Sequence, residues 1–151
     1  MNDDQYALGP RLMHPNLVRM YDYWCERRRG RDFPARSDID PLDFTYALGN
    51  IELVDVSHDP LQFRYRLFGV NIAMRDGYDL TGKTVDEIPE PEFRALVRAP
   101  FVEVIELRRP LSAVRNRLID GRPRRYEAVR MPLSDDGETI NMIFIATEFL
   151  P

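Results

Sequence analysis

Residues 112–149, SAVRNRLIDGRPRRYEAVRMPLSDDGETINMIFIATEF, carry the pattern that decides the architecture. Asp120-Gly121 and Asp135-Asp136-Gly137 read as hairpin turns, because aspartate and glycine enter the left-handed backbone region at little cost. The runs around them, about 112–119, 124–133 and 139–149, are rich in β-branched and aromatic residues and read as a three-stranded antiparallel meander.

Upstream, residues 50–57 and 62–68 form a second hairpin signal that turns at His58-Asp59-Pro60. In its second strand Phe63, Tyr65 and Leu67 alternate with Arg64, Arg66 and Phe68. Gly69, Gly77, Gly82 and Pro89 allow only short helices after it. Residues 92–109 then place Phe93, Leu96, Val97, Phe101, Val104 and Ile105 at helical spacing, with a kink or break expected at Pro100. At the other end, residues 15–29 spell an amphipathic helix: Pro15 suits a first turn, Leu17, Met20, Tyr21 and Trp24 form a stripe, and Gly30 closes it. Asp40, Pro41 and Asp43 start a short second helix that Gly49 stops.

A hairpin and a meander separated by helices can close one five-stranded antiparallel sheet. The expected fold is α+β, the sheet covered on one face by helices, with an N-terminal helical extension over 1–49 and the sheet domain over 50–151, one structural unit overall. The space between the sheet and the long helix is the natural ligand cavity.

Composition narrows the function classes. Of 151 residues, 21 are basic (20 Arg and the single Lys83) and 25 acidic, so the net charge of −4 offers no general attraction for nucleic acid or anionic lipid. The longest apolar run, residues 142–146, is far short of the ~20 residues of a membrane span. The acidic start Met1-Asn2-Asp3-Asp4 reads as no secretory signal, and one cysteine, Cys25, makes no internal disulfide. A reduced, cytoplasmic setting is expected, with no membrane and no nucleic-acid partner.

Several motifs carry a bland reading beside a sharp one. Residues 77–84, GYDLTGKT, match the phosphate-loop pattern, but that loop requires a strand before it, a long helix after it and a βαβ setting, none of which is expected here. Asp38, Asp40 and Asp43 lack the glycine and distal acid of a calcium loop and read as helix caps. His14 and His58 have no ligand-spaced partner, so no metal site is expected, and Cys25 reads as packing. Arg27, Arg28 and Arg29 suit a helix end, and Arg122, Arg124 and Arg125 flank a turn.

Phe63-Arg64-Tyr65-Arg66-Leu67-Phe68-Gly69, followed by Gly77 to Thr84, resembles the second strand and connecting helices of PAS domains, the sensor modules of signalling proteins. Tyr23-Trp24, Arg29-Gly30, Pro34, residues 36–41 and residues 132–137 are similar to a group of small stand-alone bacterial PAS-like proteins of undefined role. The resemblance covers roughly residues 20–149 and implies a PAS-like five-stranded sheet. It also bears on cofactors. Photoactive flavin members carry a cysteine among the short helices, and haem-binding members commonly a histidine on the long helix; neither stands in those segments here. Covalent-type flavin photochemistry and histidine-ligated haem are therefore disfavoured, while a non-covalent flavin or an organic metabolite stays open.

The expected ligand-lining residues are Arg64, Tyr65, Arg66, Tyr126, Met142 and Phe144; an inward arginine would call for a carboxylate or phosphate. The alternative is that these arginines face solvent and the aromatics fill the core. The stripe Leu17, Met20, Tyr21 and Trp24 packs either on its own sheet or on a second copy or partner signalling protein, and N-terminal helices of PAS proteins often do the latter. The leading function is a sensory or regulatory module that signals by protein–protein contact. The alternatives are a scaffold with a filled core and, less favoured, a cone-fold enzyme using Asp55 as general base. No catalytic residue is otherwise assigned.

Overall fold

The structure, a computed structural model, describes residues 11–151. The first ten residues of the 1–49 extension, including the acidic start, lie outside the described residues. Helix α1 (Pro15–Arg28) is followed by 3₁₀ turns at Arg36–Asp38 and Pro41–Asn50. Then come strands β1 (Ile51–Ser57) and β2 (Gln62–Phe68), helix α2 (Val70–Asp76), a 3₁₀ turn at Val85–Glu87 and helix α3 (Pro91–Leu107). Strands β3 (Leu111–Ile119), β4 (Arg122–Leu133) and β5 (Met142–Leu150) close the chain.

The strands form one antiparallel sheet in the order β2-β1-β5-β4-β3. The fifth strand starts at Met142 rather than 139, because the Asp136 carboxylate accepts from Glu138 N and Thr139 N and holds those residues in the turn. Those bonds hold its carboxyl down at about 2.

The five-stranded antiparallel sheet of the sequence reading is present in full, with one difference: helices cover both faces. On one side α2, α3 and the connecting segments bury Ile72, Leu80, Val85, Ile88, Phe101 and Val104 against Val54, Val56, Phe63, Tyr65, Phe68, Ile143 and Ile145. On the other, α1 and the first 3₁₀ turns bury Leu17, Met20, Trp24, Phe33, Phe44 and Ala47 against Ile51, Leu53, Val129, Met131, Leu133, Met142, Phe144 and Ala146.

The stripe on α1 is thus satisfied within its own chain, on its own sheet, which is one of the two packings open to it from the sequence. Leu17, Met20 and Trp24 are fully buried and Tyr21 is half-buried, its ring stacked on Trp24. Polar anchors fix the docking. Trp24 Nε1 donates to Pro132 O at 2.9 Å, and the buried Glu127 carboxylate accepts from Met13 N at 2.9 Å and His14 N at 2.8 Å, just before the helix. Asn16 Nδ2 donates to Glu148, which lies opposite Glu127 on the neighbouring strand.

Two further expectations change. A bulge makes Arg66 an extra residue of β2, since Leu53 pairs with Leu67 and Val54 with Tyr65. The alternation therefore slips, turning Phe68 inward and leaving Leu67 40% exposed. Helix α3 also runs through Pro100 without a break. Proline cannot donate to the carbonyl of Leu96 four residues back, and Arg115 Nη2 does so instead at 3.3 Å.

Candidate functional site

Between α3 and the sheet lies a cavity of about 310 Å³. Every strand aims side chains into it: Glu52 from β1, Tyr65 and Phe68 from β2, Arg115 and Arg117 from β3, Tyr126 and Arg130 from β4, and Thr147 from β5. Arg75 and Asp76 close it from the end of α2, and Phe93, Leu96, Val97 and Phe101 from α3. A more open cleft of about 410 Å³ adjoins it and shares Arg75, Tyr126 and Thr147.

Alternation along the strands explains the polar lining. On β4, Tyr126 and Arg130 are four residues apart and therefore share a face. On β5, register pairs Ala128 with Thr147 and Arg130 with Ile145, so odd-numbered residues face the cavity. Met142 and Phe144 are even-numbered and pack against α1 on the opposite face. Their assignment to the ligand site is corrected for that reason.

Arg64 and Arg66 are corrected as well, because both point away from the cavity. Arg64 Nη1 donates to Gly82 O at 2.7 Å, and Arg66 pairs with Asp55 at 2.9 Å. Tyr65 and Tyr126 do line the cavity. Arginines reach it, but from α2, β3 and β4 rather than from β2. Asp55 lies on the α1 face with its side chain 32% exposed and held by Arg66, so the enzyme version that relied on it loses its base. The buried carboxyls at the cavity wall are instead Glu52, three residues earlier, and Asp76. The signal of Glu52 in the sequence was a lone charge between Ile51 and Leu53; Arg130 between Val129 and Met131 gave the same signal.

The charges fall into two groups. Asp76, its side chain 4% exposed, accepts a two-pronged pair from Arg75 (2.8 and 3.2 Å) and a bond from Arg117 at 2.8 Å. Arg75 lies over the Tyr126 ring and Arg117 over the Phe93 ring. This network ties α2 to β3, and Arg117's ring contact reaches α3. The second group is unpaired. Arg130 stacks toward Phe101, and its Nε is sealed from solvent with no hydrogen-bond partner. Burial, with Arg115 nearby, pulls its guanidinium below the ordinary value. Burial pushes the Glu52 carboxyl up to about 7, with Arg75 and Arg130 opposing and Asp76 adding to the rise. Burial likewise raises the Tyr65 phenol.

The other sequence motifs are structural. In residues 77–84, Gly77 caps α2, Asp79 accepts from Thr81, and Gly82 and Lys83 pair with the backbone of Tyr65 along the edge of β2. Asp40 caps the 3₁₀ turn that follows it, Asp43 pairs with Arg27, and Asp38 accepts from Ala35 N and Arg31. Among the described residues no group of three or more His, Cys, Asp or Glu is placed to hold a metal ion. No helix there is long and apolar enough to cross a membrane.

Solved structures share this architecture. The PAS domain of BvgS from Bordetella pertussis is 19% identical, with 75% of this chain covering 88% of that one at a TM-score of 0.56. A sensory box sensor histidine kinase from Vibrio cholerae is 16% identical, covering 66% and 81% at 0.50. A LOV protein from Rhodobacter sphaeroides is 16% identical, covering 74% and 69% at 0.50. No curated protein matches the chain. At these identities the likeness shows the fold. The PAS domain family itself matches over residues 12–144, from just before α1 into β5, and the chain belongs to that family.

Proposed function

We propose that this PAS domain is a sensory or regulatory module whose input is a small organic molecule held between α3 and the sheet. The observation that carries this reading is a cavity walled by apolar side chains yet holding two ionisable groups without hydrogen-bond partners among the described residues: half-buried Arg130, whose Nε is sealed from solvent, and buried Glu52. Buried polar groups are ordinarily satisfied, and each one left open costs about 1–3 kcal/mol. A bound molecule would satisfy both. The scaffold reading needs a filled core, and a volume of 310 Å³ supports the sensor reading over it.

The route outward follows from the alternation of β4. Arg130 faces the cavity while its neighbours Val129 and Met131 pack under α1. A shift of Arg130 on binding displaces the surface on which α1 rests, and partner contact with α1 or the adjoining strands reads the change. Thermal-shift assays against a metabolite library, with native mass spectrometry of the purified chain, test the input step. A ligand that raises the melting temperature, and loses its effect when Phe101→Trp fills the cavity, is the expected result. No co-purified molecule and no shift across the library would overturn it.

A further inference from the structure

Resting on the reading that the cavity holds a small molecule, we infer that its ligand is a small aromatic monocarboxylic acid, the carboxylate taken by Arg130 with Arg115 beside it.

The charge balance points to an anion. Asp76 is engaged by Arg75 and Arg117, which leaves Arg115 and Arg130 against Glu52. Glu52 makes no ion pair with either arginine within 4.0 Å and no hydrogen bond among the described residues, and even ionised its single charge balances at most one of the two. Arg115 spends one of its donors on Leu96 O, and guanidinium has five. Arg130 has a buried Nε with nothing to donate to. The two Nη groups of a guanidinium form an edge that grips a planar carboxylate through two parallel bonds.

A single negative charge fits better than a double one. Glu52 sits in the same cavity, and burial holds its carboxyl near neutrality at about 7. Protonated, it adds a donor; a dianion arriving beside it would meet a second carboxyl poised to ionise. The rest of the cavity sets the body of the ligand. Tyr65, Phe68, Phe93, Phe101 and Tyr126 surround it with ring faces and edges, which suits a flat apolar ring. At ~30 Å³ of liquid volume per water, the cavity holds about ten waters, room for one substituted ring with its carboxylate.

The test uses benzoate, 4-hydroxybenzoate, phenylacetate and indole-3-acetate against benzamide, phenylacetamide and phenyl phosphate, read by titration calorimetry and thermal shift on the full chain. The expected result is that at least one acid binds and its amide binds about 100-fold more weakly, the loss typical of an unpaired buried charge. Arg130→Met should abolish acid binding, and Arg130→Lys, which keeps the charge and loses the two-pronged edge, should weaken it about tenfold. Far-UV circular dichroism checks both folds, and the lysine variant serves if the methionine variant fails to fold. Acids and amides binding alike, phenyl phosphate binding in place of the acids, or acid binding unchanged in the folded variants would overturn the ligand class and leave the cavity reading standing. Absence of binding by all seven probes would overturn the class too; if the metabolite library and native mass spectrometry also come up empty, the cavity reading falls with it.

Discussion

Arg115 donates to the carbonyl oxygen of Leu96 at 3.3 Å, replacing the backbone bond that Pro100 cannot make. A cation on a strand thus completes a helix across the cavity roof. Proline inside a helix costs ~3 kcal/mol, part of it the orphaned carbonyl. Pro100→Ala should therefore raise stability by about 1–3 kcal/mol. Arg115→Met should destabilise the parent chain by about 1 kcal/mol and the Pro100→Ala chain by much less. Urea denaturation of the four chains measures this coupling, and additive effects would show that Arg115 does not serve the carbonyl.

Glu52 makes the fold pH-sensitive. In the folded chain it keeps its proton up to about 7, and in the unfolded chain it loses it near the ordinary 4.5. Between those values the folded state binds more protons, so stability falls as pH rises through that window and levels off above it. The full swing is on the order of 3 kcal/mol at 1.36 kcal/mol per unit. Glu52→Gln should flatten that part of the curve and make the protein more stable than its parent at about pH 8. Urea midpoints at intervals across the window provide the check; parallel curves for the two chains would rule Glu52 out.

The element order and the sheet were legible because their signals are local. Asp-Gly turns, glycine stops and the spacing of apolar residues each act within a few positions. The site was less so, because facing depends on register. Tyr126, named from the sequence, lines the cavity, and counting four along the strand from it would have added Arg130. Met142 and Phe144 needed the pairing across the loop from Ser134 to Asn141, and one residue of slip there reverses every side chain of β5. The bulge at Arg66 is a similar case: strict alternation put Leu67 inward, and one extra residue moved Phe68 there instead. Pairing also decided the fate of α1. Its stripe showed that it must bury a face, but only the positions of Pro132, Glu127 and Glu148 showed which surface receives it.

Docking of α1 on its own sheet predicts a cost independent of protein concentration. Pro132 lies past the last residue of β4 paired with β3, Arg130 opposite Leu111, and its carbonyl meets the Trp24 indole. Trp24→Phe should lose that bond at about 1 kcal/mol, and Trp24→Ala should cost about 3–5 kcal/mol with the cavity it leaves. Melting temperatures of parent and variants should stay constant over a wide range of concentrations. A melting temperature that rises with concentration would mean that a second copy supplies the surface.

Gly49 and Gly69 distinguish a tight backbone contact from a tight side-chain contact. A Cβ on Gly69 would stand 2.5 Å from Gly49 O and 2.8 Å from Ile51 O, both backbone atoms, while Gly69 N already donates to Ile51 O at 2.8 Å. Neither strand end can retreat without breaking that bond. A Cβ on Gly49 would first meet the Asn71 amide, at 2.6 Å, and that group can rotate at the loss of its bond to Asn50. Gly69→Ala should cost about 1–3 kcal/mol or more and loosen the start of α2, whose far end carries Arg75 and Asp76 to the cavity. Gly49→Ala should cost about 1 kcal/mol or less, the scale of one exposed hydrogen bond. Denaturant midpoints rank the two, with hydrogen exchange over residues 70–76 reporting the loosening. Equal losses at both positions would show that the backbone contact is not the constraint.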